Sequence, residues 1–170
     1  MRMKIYDFGC GNHKWPNAIG IDSDMNSDAE MIGDVETFIL PQSCADKVVI
    51  IHFLEHVNCL ATLKKAYEVL KPNGEVYIET PNAHSASIIL RLILRNKYMT
   101  SDFHVQTFGR EELKNALRLS GFVAVSISYK NLELRFCDFP RMGFSNKVGR
   151  LISKILPQLS EVIVARGVKL

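Results

Sequence analysis

The sequence predicts one α/β domain built on a mostly parallel seven-stranded sheet, with helices on both faces and an antiparallel last strand. Three observations carry that expectation. Short apolar runs alternate with helical patterns along the whole chain, the order that a parallel sheet flanked by helices requires. Val48-Val49-Ile50-Ile51 is continuously apolar, as a central strand buried on both faces must be. Asp7-Phe8-Gly9-Cys10-Gly11 follows the first apolar run, and two glycines at a strand end let backbone approach a ligand without a Cβ in the way.

Strands are expected at about 3–7, 18–22, 30–33, 47–51, 75–79, 122–129 and 161–166, within a few residues at each end. The last of them, Glu161 to Arg166, is expected to enter antiparallel near the sheet edge. Helices are expected at about 60–70, ended by Lys71-Pro72-Asn73-Gly74, and at about 110–120, ended by Gly121. Only Asn12 to Ile19 separate Gly11 from Gly20, whereas a parallel crossover normally needs about a dozen residues. With Pro16 in the middle, the first helix can be a turn or two at most. A helical insertion is expected at about 83–108 and a variable segment at about 131–158, inside a single domain covering 1–170.

A chain of 170 residues with 47% hydrophobic composition is enough for one well-covered core. The 21 basic and 18 acidic residues leave a net charge of +3, with no block of like charge, so no nucleic-acid partner is expected. The start, Met1-Arg2-Met3-Lys4, lacks the apolar stretch of a signal peptide, and no apolar run approaches a membrane span. Cys10, Cys44, Cys59 and Cys137 are too scattered for a zinc knuckle or a disulfide scaffold. A cytoplasmic protein with free thiols is the expectation.

Acids recur at the strand ends. Asp7 precedes the glycines, and a carboxylate there suits a ligand with a positive amino group better than one with phosphates. The third glycine of a dinucleotide fingerprint is replaced by Lys14. Asp22 closes Gly20-Ile21-Asp22, where a carboxylate can accept both hydroxyls of a ribose. Asp34, in Gly33-Asp34-Val35, is suited to accept from an exocyclic amine such as that of adenine. Either aspartate alone would be an ordinary cap or turn residue.

Taken in order with Ala45-Asp46-Lys47-Val48-Val49-Ile50-Ile51-His52-Phe53-Leu54-Glu55-His56 and Leu70-Lys71-Pro72-Asn73-Gly74-Glu75-Val76-Tyr77-Ile78, these motifs resemble those of the class I S-adenosylmethionine-dependent methyltransferases. The nearest likeness is to a subgroup with a short loop after the glycines and a Leu-Glu-His after the fourth strand, over about residues 3–125. The resemblance implies a Rossmann-like fold, S-adenosyl-L-methionine as cofactor, and methyl transfer to a small-molecule acceptor. It also implies Asp7, Gly9 and Gly11 around the methionine end of the cofactor, Asp22 on its ribose, and Asp34 with Val35 at its adenine. Asn73 stands where the subgroup has the first glycine of its turn, and the loop at 12–19 is shorter, so His13 and Lys14 are candidates to contact the cofactor's carboxylate.

Methyl transfer from a sulfonium needs the nucleophile held in line, with water excluded. A hydroxyl acceptor would also gain from a base, for which His52, Glu55, His56 and His104 are available. His52 is the first candidate, at the carboxyl end of the fourth strand and close to the cofactor, and His104 the second. Glu55 and His56 are expected to orient the loop or the following helix. Two rivals stand beside this reading: a non-catalytic cofactor-binding module or partner subunit, and a zinc-dependent hydrolase using His52 and His56 of an H-x-x-E-H pattern. Ala86 to Leu94, with Arg91 and Arg95, and Asn146 to Leu156 are apolar and basic, fitting core cover, a substrate lid, a homodimer face or a membrane-surface contact. Phe103 to Phe108 could line an acceptor pocket.

Overall fold

The structure is a computed structural model of the full chain, and residues 3–86, 88–89, 105–130 and 155–170 are described. Seven strands form one sheet: β1 (Ile5–Phe8), β2 (Ile19–Asp22), β3 (Met31–Ile32), β4 (Ala45–Ile51), β5 (Leu70–Pro81), β6 (Val123–Lys130) and β7 (Val162–Val168). Their order is β3-β2-β1-β4-β5-β7-β6, with β1 to β5 parallel and β7 antiparallel to both neighbours. The strand order reverses at β1, between β2 and β4, and in open α/β sheets ligands gather at the carboxyl ends beside such a switch.

All seven expected strands are present, and the final one is antiparallel as expected. β5 begins earlier than its apolar run suggested: Leu70 already pairs with Ala45, and the register shifts before Lys47 meets Glu75. The Lys71 to Gly74 turn is thus a bulge within the strand, with Asn73 at φ 64°, a conformation asparagine tolerates.

Helix α1 (Cys59–Val69) starts at Asn58, whose side chain accepts the Ala61 amide at 3.1 Å, and α2 (Arg110–Leu119) starts with Glu111 and Glu112 in its first turn. Leu63 and Ala66 of α1 and Leu113 and Leu117 of α2 join Phe8, Val48, Ile50, Val76 and Ile78 in the main core. Strand side chains alternate between faces, so Val49, Tyr77, Val162 and Val164 form a second cluster on the opposite face. Trp15, from the short first crossover, packs on it with its ring 5.3 Å from that of Tyr77. That crossover contains turns and no helix.

Ile89 donates to the Ser85 carbonyl, Val105 donates to the Glu55 carbonyl, and Phe108 bridges Asn82 just past the end of β5. Most of the insertion expected at 83–108 and of the variable segment at 131–158 lies outside the described residues, as do His104, Cys137, Arg91, Arg95 and Phe103. Cys10, Cys44 and Cys59 are free thiols. No helix among the described residues is long and apolar enough to cross a membrane.

Candidate functional site

The carboxyl ends of β1, β2 and β4 bring most of the expected residues together. Gly9 and Gly11 have φ of 68° and 50°, so the chain reverses after β1 through a conformation that side chains rarely adopt. Their free faces differ. A Cβ on Gly9 would lie 2.0 Å from the Phe53 ring, whereas one on Gly11 would meet nothing within 4 Å. Phe53 therefore closes the turn from the β4 side, and Gly11 leaves the opening.

Asp7 is 2% exposed. Its Oδ2 accepts the Trp15 amide at 2.7 Å, while Oδ1 has no partner. Burial pushes its carboxyl up to about 6, against the opposing Trp15 bond and the Lys14 charge. A buried carboxylate oxygen without a donor is costly, and an ammonium or other donor placed beside it would relieve the cost.

Asp22 binds the turn from β2: Oδ2 accepts the Gly11 amide at 2.8 Å and Oδ1 the Asp24 amide at 2.9 Å. A carboxylate has about four acceptor positions, so each oxygen keeps one for a ligand hydroxyl. Asp34 is exposed after β3, with Oδ1 on the Glu36 amide at 2.9 Å. Val35 is 1% exposed within the main core, so its backbone alone can meet an adenine ring. A cavity of about 820 Å³ opens here, lined by Ser23, Asp34, Glu36, Phe53, His56 and Gln106 among others.

Lys14 does not face that opening. Its ammonium pairs with Glu30, which also accepts the Gly20 amide, so Lys14 fastens the crossover to β3. His13 is exposed.

His52 ends β4 in a left-handed conformation, φ 50°, with its amide on the Glu79 carbonyl at 2.8 Å. It lies on the β5 side of the strand end, outside the cavity lining. The following short helix, Leu54–His56, begins after His52, so the two histidines of the H-x-x-E-H pattern do not share a helix as a zinc-hydrolase site needs. Among the described residues no group of three or more His, Cys, Asp or Glu side chains could hold a metal ion.

Sequence reasoning missed three neighbours of the site: Phe53, whose motif stands out for its polar members; Glu36, which accepts the Asn58 amide at 2.8 Å; and Glu79, which pairs with Lys130. The Gln106 amide group donates to the Leu54 and Val57 carbonyls at 2.8 and 2.6 Å, making one cavity wall. It lies in Phe103 to Phe108, the stretch expected to line a pocket.

A family profile described as a methyltransferase domain matches residues 2–127. Among solved structures, an Archaeoglobus fulgidus SAM-dependent methyltransferase superposes with a TM-score of 0.69 at 21% identity, covering 98% of this chain and 86% of its own. A Thermotoga maritima SAM-dependent methyltransferase gives a TM-score of 0.73 at 17% identity, covering 100% and 84%. A phosphoethanolamine N-methyltransferase of Haemonchus contortus, solved with S-adenosyl-L-methionine, gives 0.59 at 16% identity, covering 99% of this chain and 49% of its own. No curated protein matches the sequence.

Proposed function

The chain belongs to the S-adenosylmethionine-dependent methyltransferases, and on that premise we propose that the cleft at the carboxyl ends of β1 to β4 binds the cofactor and presents it to a small-molecule acceptor beside β4 and β5. The observation that carries this reading is the partnerless Oδ1 of buried Asp7, beside a turn whose Gly11 faces open space. An ammonium is the donor that this oxygen calls for, and the cofactor's methionine end has one.

In this reading Asp7, Gly9 and Gly11 hold the methionine end, and Asp22 accepts the ribose hydroxyls while fixing the turn. Asp34 accepts from the adenine amine, with the Val35 backbone beside the ring. When bound, the cofactor supplies a methyl group already activated on a sulfonium. What remains for the protein is to hold the acceptor in line and exclude water, and Phe53 and Gln106 contribute walls for that. His52 stands at the acceptor side as the candidate base.

Calorimetric titration with S-adenosyl-L-methionine and with its demethylated product is the direct test. Saturable binding of both is expected. A folded chain that binds neither would overturn the reading, and a screen of small-molecule acceptors for demethylated product then identifies the substrate.

A further inference from the structure

We propose that Glu55 is a positioning residue, which holds the His52 imidazole with its proton on Nδ1 and leaves the Nε2 lone pair to take a proton from an acceptor hydroxyl. The proposal rests on the reading of the β4 end as the acceptor side.

Glu55 is 2% exposed, in the short helix Leu54–His56. Oε2 receives the Thr80 hydroxyl at 3.0 Å, and Oε1 lies 3.6 Å from His52 Nδ1. The Glu55 carbonyl accepts the Val105 amide at 3.0 Å, so main chain as well as side chain is held in place. The Thr80 hydroxyl and the Glu55 backbone amide serve this buried carboxylate, and the ring nitrogen facing Oε1 is His52 Nδ1, so a proton there adds a further donor to the anion. The imidazole itself is half-exposed, with a side-chain exposure of 50%. One end of the ring thus faces a buried anion while the rest reaches the solvent side.

Other charges bear on the ring. Glu79 in β5 is buried, but it pairs with Lys130 in β6 and receives the Tyr77 hydroxyl, so its field is largely neutralised. Glu55 is left as the deciding carboxylate. Its contact with His52 holds the imidazole pKa above the ordinary value. Burial pushes the Glu55 carboxyl up, yet the contacts with His52, with its own backbone amide and with Thr80 outweigh it and keep the group ionised.

A distance of 3.6 Å exceeds that of a tight hydrogen bond, and such pairs shorten when the imidazolium forms. On transfer, the acceptor O–H bond breaks and its proton passes to Nε2. Its electron pair makes the new O–CH3 bond, and the pair of the broken C–S bond returns to sulfur as a neutral thioether. The imidazolium then faces Glu55, which offsets its charge.

Nitrogen NMR of histidine-labelled protein reads this arrangement directly. The neutral His52 ring of the wild-type chain should be the Nδ1–H tautomer, a measurement that needs no variant. Glu55→Gln should lower the His52 pKa and mix the tautomers. An Nε2–H tautomer in the wild type, or an identical titration in folded Glu55→Gln, would overturn the proposal. Calorimetry with S-adenosyl-L-methionine on the wild-type chain tests the cleft separately, so the two failures can be told apart.

Discussion

Gly11 donates its backbone N–H to the Asp22 carboxylate at 2.8 Å, so the acid that ends β2 shapes the glycine turn that ends β1. The same carboxylate is available to a ribose on its remaining acceptor positions. A turn contact that the structure shows and a ribose contact that we propose meet on one side chain, which makes Asp22 the most informative position in the cleft.

Asp22→Ala should lose cofactor affinity by on the order of 2–4 kcal/mol, because charged hydrogen bonds are worth about 1.5–3 kcal/mol each before relaxation. Asp34→Ala should cost less, since one amine is a smaller partner than two hydroxyls. Calorimetry on both variants, with circular dichroism as the control for folding, checks the order. Equal affinities for a folded Asp22→Ala and the wild type would remove the residue from the site.

Asp7 gives the cleft a pH dependence. Its folded-state pKa of about 6 lies above the ordinary 3.8, so ionising it works against the cofactor-free fold. That penalty is absent below the unfolded value, grows between roughly pH 4 and 6, and is complete above. Asp7→Asn should therefore raise the melting temperature of the cofactor-free protein at neutral pH by a few degrees, about 2–4 °C per kcal/mol at this size. It should weaken cofactor binding at the same time, and wild-type affinity should fall as pH drops through about 6. A melting temperature unmoved by the substitution would mean that Oδ1 is satisfied in solution.

The two glycines should respond differently to alanine. Gly11→Ala adds a Cβ in open space, so the fold should lose only the cost of a left-handed residue, about 1 kcal/mol. Gly9→Ala drives a Cβ into the Phe53 ring and should lose more. Denaturant midpoints compare the pair, and Gly9→Ala with Phe53→Ala added should recover part of the difference. Equal losses would mean that Phe53 moves aside freely.

Lys130→Met should destabilise the fold by about 1–3 kcal/mol, because Glu79 stays buried and loses its cation. Solvent reaches Lys130, which keeps the cost below that of a fully buried pair. Adding Glu79→Gln should restore part of it. Chemical denaturation of the single and double variants measures the coupling, and additive losses would show that the pair contributes little.

Much of this protein was determined by the sequence itself. The alternation of apolar runs with helical patterns placed seven strands and two helices, and strand ends are where acids and glycines stand out against apolar neighbours. Asp7, Gly9, Gly11, Asp22 and Asp34 stand out as candidates for that reason, since each signal lies within a few residues of a strand boundary. The short first crossover was legible too, because chain length limits what a loop can hold.

Tertiary structure alone decided the contacts between distant segments. Lys14 has the charge to meet a ligand carboxylate, but Glu30, just before the strand paired beyond β2, takes it. Val35 follows an acid at a strand end, as a ligand contact would, yet its side chain fills the core. Phe53 against Gly9, Gln106 beneath Leu54 and Val57, and Glu55 between Thr80 and His52 join residues brought together only when the sheet forms. Periodicity and propensity report how each residue sits on its own element, whereas an ion pair or a ring contact depends on which element packs across from it, and that is fixed by the fold as a whole.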